Sequence, residues 1–500
     1  MGLLVKGALV LRDADAHPEI CDLQVADGVV TRAAPSLPVG AGAEVFDAHG
    51  LLALPGLISA HTHTREVLSK GLFDGVPLET WLLAMTVSQG QRSPRHQYLS
   101  CALGCAELIR FGVTGVYEQF THLPIMTPEV LEAVLGAYRE SGLRVRLAPS
   151  VADIPYYQTV PGLKEALPPG LLQFLADCAG SATTLTDLEA LARRLDRLQR
   201  SESSLIGFSL GPVIPERCSD RFLIRCRQLA EAHGLGLHLH LAETPFQWEQ
   251  SRRAHARTTT ERLAGLGLLS PRTAVAHAIW ITARDIALLA ETGTVVVHNP
   301  ASNLKLGSGI APVRELLVAG VNVALGIDGF STSDNASLFV QMKLAAGLSR
   351  LRTPDYRRWL TAREVFRMAT VGGGLALGLA PGLGEIAEGR PADITFLDLG
   401  SPALNPLRDA VCQVVFAESG LGVRATMVAG RLLMRDGKVA TIDTQKLNKE
   451  AGDALGDLES LNESAKQRFW QEVEPCLYSF YTAEHTGFGR SFEQSSGGGG

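Results

Sequence analysis

The chain has 500 residues, 46% of them hydrophobic and 20% charged, with a formal net charge of −6, the profile of a folded protein with a large core and more than one small domain. That balance offers no basic footprint for nucleic acid, and no apolar run is long enough to span a bilayer. The N-terminus lacks the order of a signal peptide, and Lys6 stands where a myristoylation motif after Gly2 wants Ser or Thr, so a cytoplasmic location without a membrane partner is expected.

Residues 1–55 read as short strands. Leu3 to Leu11 is apolar, Asp22 to Val25 alternates, Asp27-Gly28 is a hairpin turn signal, and Ala43 to Phe46 is a further strand candidate. From 56 to 384 short apolar strands alternate with helical periodicity. Strands are predicted at Gly112–Tyr117, Arg144–Pro149, Ser204–Gly211, Gly236–Ala242, Thr273–Ala278, Thr294–His298 and Asn322–Ile327, with helices such as Arg221–His233 and Ala283–Thr292 between them. Repeated β–α units of this kind predict a (β/α)8 barrel, with a doubly wound open sheet as the alternative. Residues 385–443 return to strand patterns at Ala392–Asp398, Val411–Phe416, Ala425–Val428 and Arg431–Met434, with a turn at Asp436-Gly437. Both chain ends are therefore expected to build one small β-sandwich domain. Residues 444–494 read as a charged helical tail whose late aromatics form a docking face on the body or a second subunit, and 495–500 as a flexible Ser/Gly end. The eight cysteines are scattered without a Cys-x-x-Cys pair, which argues against a disulfide framework or a structural zinc site.

Polar residues at the ends of apolar strands carry the chemistry, because burying them without partners costs several kcal/mol. His61-Thr62-His63 places two imidazoles on one strand face, the spacing two ligands of one metal need. His238 and His240 share a face of the next such strand, followed by Glu243; spacing alone does not separate the two histidines. His277, His298 and Asp328 end later strands. The carboxyl ends of barrel strands are where catalytic groups gather.

Pro55-Gly56-Leu57-Ile58 with His61-Thr62-His63, His238-Leu239-His240 through Glu243-Thr244, Ala276-His277, the run from His298 to Gly307, Ile310-Ala311-Pro312, Gly326-Ile327-Asp328-Gly329 and Gly389-Arg390-Pro391-Ala392-Asp393-Ile394 occur in order. Over residues 1 to about 443 the chain resembles the amidohydrolase superfamily, in the branch of amino- and chlorohydrolases acting on N-heterocycles, which includes triazine hydrolases and the deaminases of S-adenosylhomocysteine and methylthioadenosine. The resemblance implies one divalent metal ion held by His61, His63, His240 and Asp328, with His238 beside the ligands. Zn²⁺ is the default for this donor set, and Fe²⁺ accepts it too. It implies a hydrolytic deaminase of an amino-substituted purine, pterin, pyrimidine or triazine, with Asp328 taking a proton from the attacking water, Glu243 protonating a ring nitrogen and His277 orienting the water. Loss of chloride, an alkylamine or a thio group from the same site is the alternative, and a barrel that binds metal or ligand without catalysis is a third reading.

Binuclear relatives bridge two ions with a carboxylated lysine on the fourth strand; Ser204–Gly211 contains none, so a mononuclear site is expected. Trp81, Glu118, Gln119, Val213, His298 and Asn303 are the substrate-binding candidates. Val213 stands where the nucleoside-type relatives carry a histidine, which favours a smaller or differently decorated ring than adenosine. The relatives' habit of association also predicts a homo-oligomer.

Overall fold

The computed structural model describes residues 2–40, 42–89 and 92–483, so the predicted Ser/Gly end and the last part of the tail lie outside the described residues. Nine parallel hydrogen-bonded segments form a closed barrel of eight strand positions. These are Leu57–His63, Val113–Phe120, Arg144–Val151, Ile206–Pro212, Gly236–Leu241, Thr273–His277, Val295–His298, and an eighth strand broken into Val323–Leu325 and Asp328–Gly329. The first piece of the eighth strand pairs with the seventh and the second piece pairs with the first strand, which closes the ring.

Side-chain parity sorts the barrel into two apolar layers, because successive strand residues face opposite sides. Ile58, Ala60, Tyr117, Ala148, Ala274, Val295, Val297 and Ala324 fill the interior. Leu57, Val116, Leu147, Leu210, Leu239, Val275, Val296 and Leu325 pack outward against the helices. On this count His61 and His63 should face outward with Leu57. A register shift between Ser59 and Thr62 reverses the parity and turns both imidazoles into the barrel.

The chain ends meet in a second nine-stranded sheet around its own apolar filling of Val5, Leu23, Phe46, Ile394, Phe396 and Met427. Asp27-Gly28 and Asp436-Gly437 make the predicted turns, all four residues having the positive φ such turns demand. The sheet is tied to the barrel by Arg144, whose Nε and Nη2 donate to Asp393 Oδ2 at 2.9 Å and Oδ1 at 3.0 Å, both residues being buried.

The strand expected at Val411–Phe416 is instead part of a helix, Ala410–Phe416. Its β-branched run reads as a strand, but Asp409 accepts a hydrogen bond from the Cys412 amide and starts a helix, whose Val411, Val414 and Val415 lie on one buried face. The helical tail begins at Thr444, with Asp443 as its cap. Its aromatic side chains dock on the body of their own chain: Trp470 meets Phe73, and Phe480 and Tyr481 meet Phe246. No helix among the described residues is long and apolar enough to cross a membrane.

Candidate active site

At the carboxyl end of the barrel, donor atoms of His61, His240, His277 and Asp328 all lie within 4.8 Å of one another. His63 Nε2 joins them, 3.3 Å from Asp328 Oδ1 and 3.3 Å from His240 Nε2. Five donors thus converge, one more than the four implied by the resemblance, and the addition is His277.

Each imidazole is aimed by a bond on its other nitrogen. His63 Nδ1 donates to Gln119 O at 2.6 Å, His240 Nδ1 to Val213 O at 2.6 Å and His277 Nδ1 to Asn303 Oδ1 at 2.8 Å. His61 Nδ1 lies 2.6 Å from His238 Nε2. With Nδ1 occupied in this way, every Nε2 is turned toward the centre, the arrangement that prepares histidines for a metal.

The backbone assists at two points. His277 and Asp328 have φ of +73° and +62°, left-handed conformations that turn these strand-end side chains inward. Asp328 is flanked by obligatory glycines. A Cβ at Gly326 would lie 2.3 Å from Asn299 Oδ1, and one at Gly329 would lie 1.8 Å from Glu66 Oε2.

Charge follows from this packing. Burial favours a neutral Asp328, but the facing His61 and His63 outweigh it and hold the carboxylate well below its ordinary range. Burial, aided by the His63 charge, pushes His61 down to about 3. Burial acts the same way on His63, yet Asp328 and Glu66 raise it to about 9. A metal fits here on chemical grounds. His61 Nε2 is fully buried and makes no hydrogen bond, and a cation would replace the proton that His63 and Asp328 otherwise share.

Glu243 is buried, with Oε1 3.8 Å from His277 Nδ1. Burial first, then the negative charges of Asp328 and Glu79, push its carboxyl well above the ordinary range, which favours the protonated form. Glu79 is itself raised to about 7 by burial, and its Oε1 accepts the Thr244 hydroxyl at 2.7 Å.

These groups open onto a chamber of about 990 Å³ lined by Trp81, Tyr156, Val213, Leu306, Arg65 and Arg217 among others. Of the expected substrate contacts, Trp81 and Val213 line it. Asn303 serves His277 instead. Glu118 and Gln119 are not in the lining, and as strand neighbours they point opposite ways. Glu118 faces the helices, accepting from the Thr64 amide at 3.0 Å and the Tyr138 hydroxyl at 2.8 Å. Gln119 faces inward below the mouth and donates to His238 O at 3.1 Å. His298 has outward parity and lines a separate small cavity with Ile310, Val313 and Leu348. Glu66, Glu79, Arg65 and Arg217 were not singled out from the sequence. Glu66, three residues after His63, repeats the spacing of His240 and Glu243 and was open to detection on that ground.

The Amidohydrolase family description matches residues 52–433. The chain belongs to the amidohydrolase family. A 5-methylthioadenosine/S-adenosylhomocysteine deaminase of Nitratidesulfovibrio vulgaris is 35% identical to this amidohydrolase over 460 residues, 90% of this chain and 96% of that protein. A 5'-deoxyadenosine deaminase of Methanothermobacter thermautotrophicus is 32% identical over 451 residues, 88% and 97% of the two chains. Among solved structures, an adenosine deaminase from Xanthomonas campestris with bound zinc superposes with a TM-score of 0.80 at 26% identity, covering 92% of this chain and 98% of that one. An atrazine chlorohydrolase from Arthrobacter aurescens, complexed with zinc, has the same fold, with a TM-score of 0.80 at 24% identity over 91% and 100% of the chains.

Proposed function

We propose that this amidohydrolase is a metal-dependent hydrolytic deaminase of an amino-substituted N-heterocycle, releasing ammonia from a ring carbon. The observation that carries the reading is the convergence of Asp328 and the inward-turned imidazoles beside Glu243, a buried carboxyl pushed well above its ordinary range, in the wall of one chamber. His61, His63, His240 and Asp328 are assigned as the ligands of one divalent ion, zinc by donor type and by its presence in the 26%-identical adenosine deaminase. When bound, the ion supplies Lewis-acid activation of a water molecule at this point.

Asp328 accepts the proton of the attacking water. Glu243 hands its proton to a ring nitrogen and so draws electron density from the carbon under attack. His277, fixed by Asn303, orients the water from the side facing both carboxyls. Asp328 then passes the water's proton to the departing amino group, ammonia leaves from the same carbon, and the second proton of the water returns Glu243 to its acid form. The apolar wall formed by Trp81, Leu82 and Tyr156 accommodates the ring and limits access of bulk water. The deaminase names of the 35% and 32% identical relatives make a 6-aminopurine the first ring to try.

The test is ammonia release from metal-replete protein over aminopurines, aminopterins, aminopyrimidines and aminotriazines, with a chelator-treated control. Turnover of one group that disappears on chelation and returns with zinc is expected. Release of chloride or an alkylamine in place of ammonia would reassign the leaving group, and no turnover of any amine would overturn the reading.

A further inference from the structure

The amino end of the barrel, opposite the imidazole cluster, carries an open cleft of about 1020 Å³. One side is formed by residues 375–379, whose Leu377 and Leu379 pack on the apolar filling of the barrel. The other sides are the starts of the third to sixth barrel strands, from Arg146 through Gly207 and Gly236 to Arg272.

Arg146, half-buried, and Arg272, exposed, both line this space. Arg146 donates from Nε to Leu377 O, from Nη1 to Phe208 O at 3.0 Å and from Nη2 to Gly378 O at 3.2 Å. Arg272 donates from Nη2 to Gly234 O. All of these partners are neutral carbonyls. Neither arginine joins an ion pair among the described residues, whereas Arg144, Arg225, Arg262 and Arg314 each face a carboxylate. The carboxylate in the lining, Glu202, is already held by Arg139, whose Nε lies 3.2 Å from Oε1 and 3.3 Å from Oε2.

Two like charges in one cleft repel, and its apolar walls strengthen the field between them. Burial, joined by the charge of Arg272, lowers Arg146 from its ordinary value. An anion in the cleft would remove this conflict. Because a guanidinium has more N–H groups than Arg146 has used, donors remain on both its Nη atoms, and Arg272 keeps Nε and Nη1. Ser203 and Ser204 add exposed hydroxyls to the same lining. Donors arriving from several directions suit the tetrahedral oxygens of phosphate better than the planar pair of a carboxylate, and two cations match a dianion.

We propose that this cleft is a phosphate-binding site separate from the metal centre, built by Arg146 and Arg272, for a phosphate dianion that is free or carried on a small ester. It stands independently of the deaminase reading, because its residues lie at the opposite end of the barrel strands from His61, His240 and Asp328.

The experiment is titration calorimetry of the zinc-loaded full chain with inorganic phosphate, glycerol 3-phosphate and succinate, at constant ionic strength and about pH 8, where phosphate and its esters are dianions. The wild type should bind a phosphate compound more tightly than succinate. Arg272→Gln should weaken that binding about 10- to 100-fold, the usual range for hydrogen bonds to a charged group, with zinc content unchanged. Arg272→Lys keeps the charge but not the fork, and should retain part of the affinity. Arg146→Gln should weaken binding as well. Because it also removes three bonds to the chain, Arg272→Gln, at an exposed position, decides the matter if the Arg146 variant fails to fold. Tighter binding of glycerol 3-phosphate than of inorganic phosphate identifies an ester as the ligand, and the reverse order identifies the free anion; either supports the site. Phosphate binding that survives Arg272→Gln undiminished would place the anion elsewhere, on the metal for instance, and would overturn the proposal. No binding of either phosphate compound, or tighter binding of succinate, would do the same.

Discussion

His61 Nδ1 sits 2.6 Å from His238 Nε2, and the His238 ring stacks on Tyr117 with centroids 4.0 Å apart. For His61 Nε2 to offer a lone pair, its Nδ1 must carry the hydrogen and donate it to His238. His238 therefore sets the tautomer of a ligand without touching the centre itself. His238→Phe should keep the stacking and the fold but weaken zinc binding about 10- to 100-fold, the usual loss when such a partner is removed. Competition against a chromophoric chelator measures it. Unchanged affinity would mean that His61 is held by packing alone.

Glu243 is expected to work as an acid, so turnover should fall as pH rises through its pKa. Glu243→Gln should keep its zinc and lose about 10²- to 10⁴-fold in kcat. Loss of the metal in that variant would make Glu243 a structural partner of the ligands.

The neighbouring Glu79 helps to keep that proton in place, because its negative charge raises Glu243. Glu79→Gln removes the charge, so the alkaline limb of the kcat profile should move to lower pH. A limb that stays in place or moves upward would show that burial and Asp328 are sufficient. The readout is the full pH profile with metal content checked at each end.

Much of this site was legible in the sequence because strand-end residue types are conspicuous against apolar neighbours. His61, His63, His240, His277 and Asp328 were found that way, as were the barrel and the sheet built from both chain ends. What failed was facing. Glu118 and Gln119 are adjacent on one strand and so point to opposite sides, and the same parity sends His298 outward. His277 should have gone outward too, but its positive φ turns it back, and the bulge after Ser59 does so for His61 and His63. Neither irregularity has a clear local signature. Arg217 and Glu79 stayed hidden because an isolated charge in a loop or first helical turn is normally solvated, and only the packed structure shows what surrounds it.

Glu118 offers a stability test separate from catalysis. Burial raises it from an ordinary 4.5 to about 7, against the lowering effect of His63 and of its hydrogen bonds. A carboxyl raised on folding binds more protons in the native state, so its contribution is fully present below about 4.5 and is lost as pH rises through about 7. In Glu118→Gln that dependence disappears. The Tm difference, variant minus wild type, should therefore grow more positive between about pH 5 and about pH 8, the window that linkage sets. A flat difference would mean that Glu118 is already ionised in the folded protein.

The Arg144–Asp393 pair tests how the barrel and the end sheet are joined. Asp393 sits in the closing Gly389-Arg390-Pro391-Ala392-Asp393 signature, and besides Arg144 it accepts the Ala429 amide at 2.8 Å. Asp393→Ala leaves a buried guanidinium without its anion and should cost about 3–5 kcal/mol in chemical denaturation. Replacing both residues, Arg144→Met with Asp393→Leu, removes the stranded charge and should recover a good part of that loss, since a buried pair need not be stabilising relative to apolar packing. If the double variant is as unstable as Asp393→Ala, the amide of Ala429 rather than the ion pair is what the signature aspartate serves. Metal content in both variants should follow the folded fraction, because neither residue approaches the imidazole cluster at the opposite end of the strands.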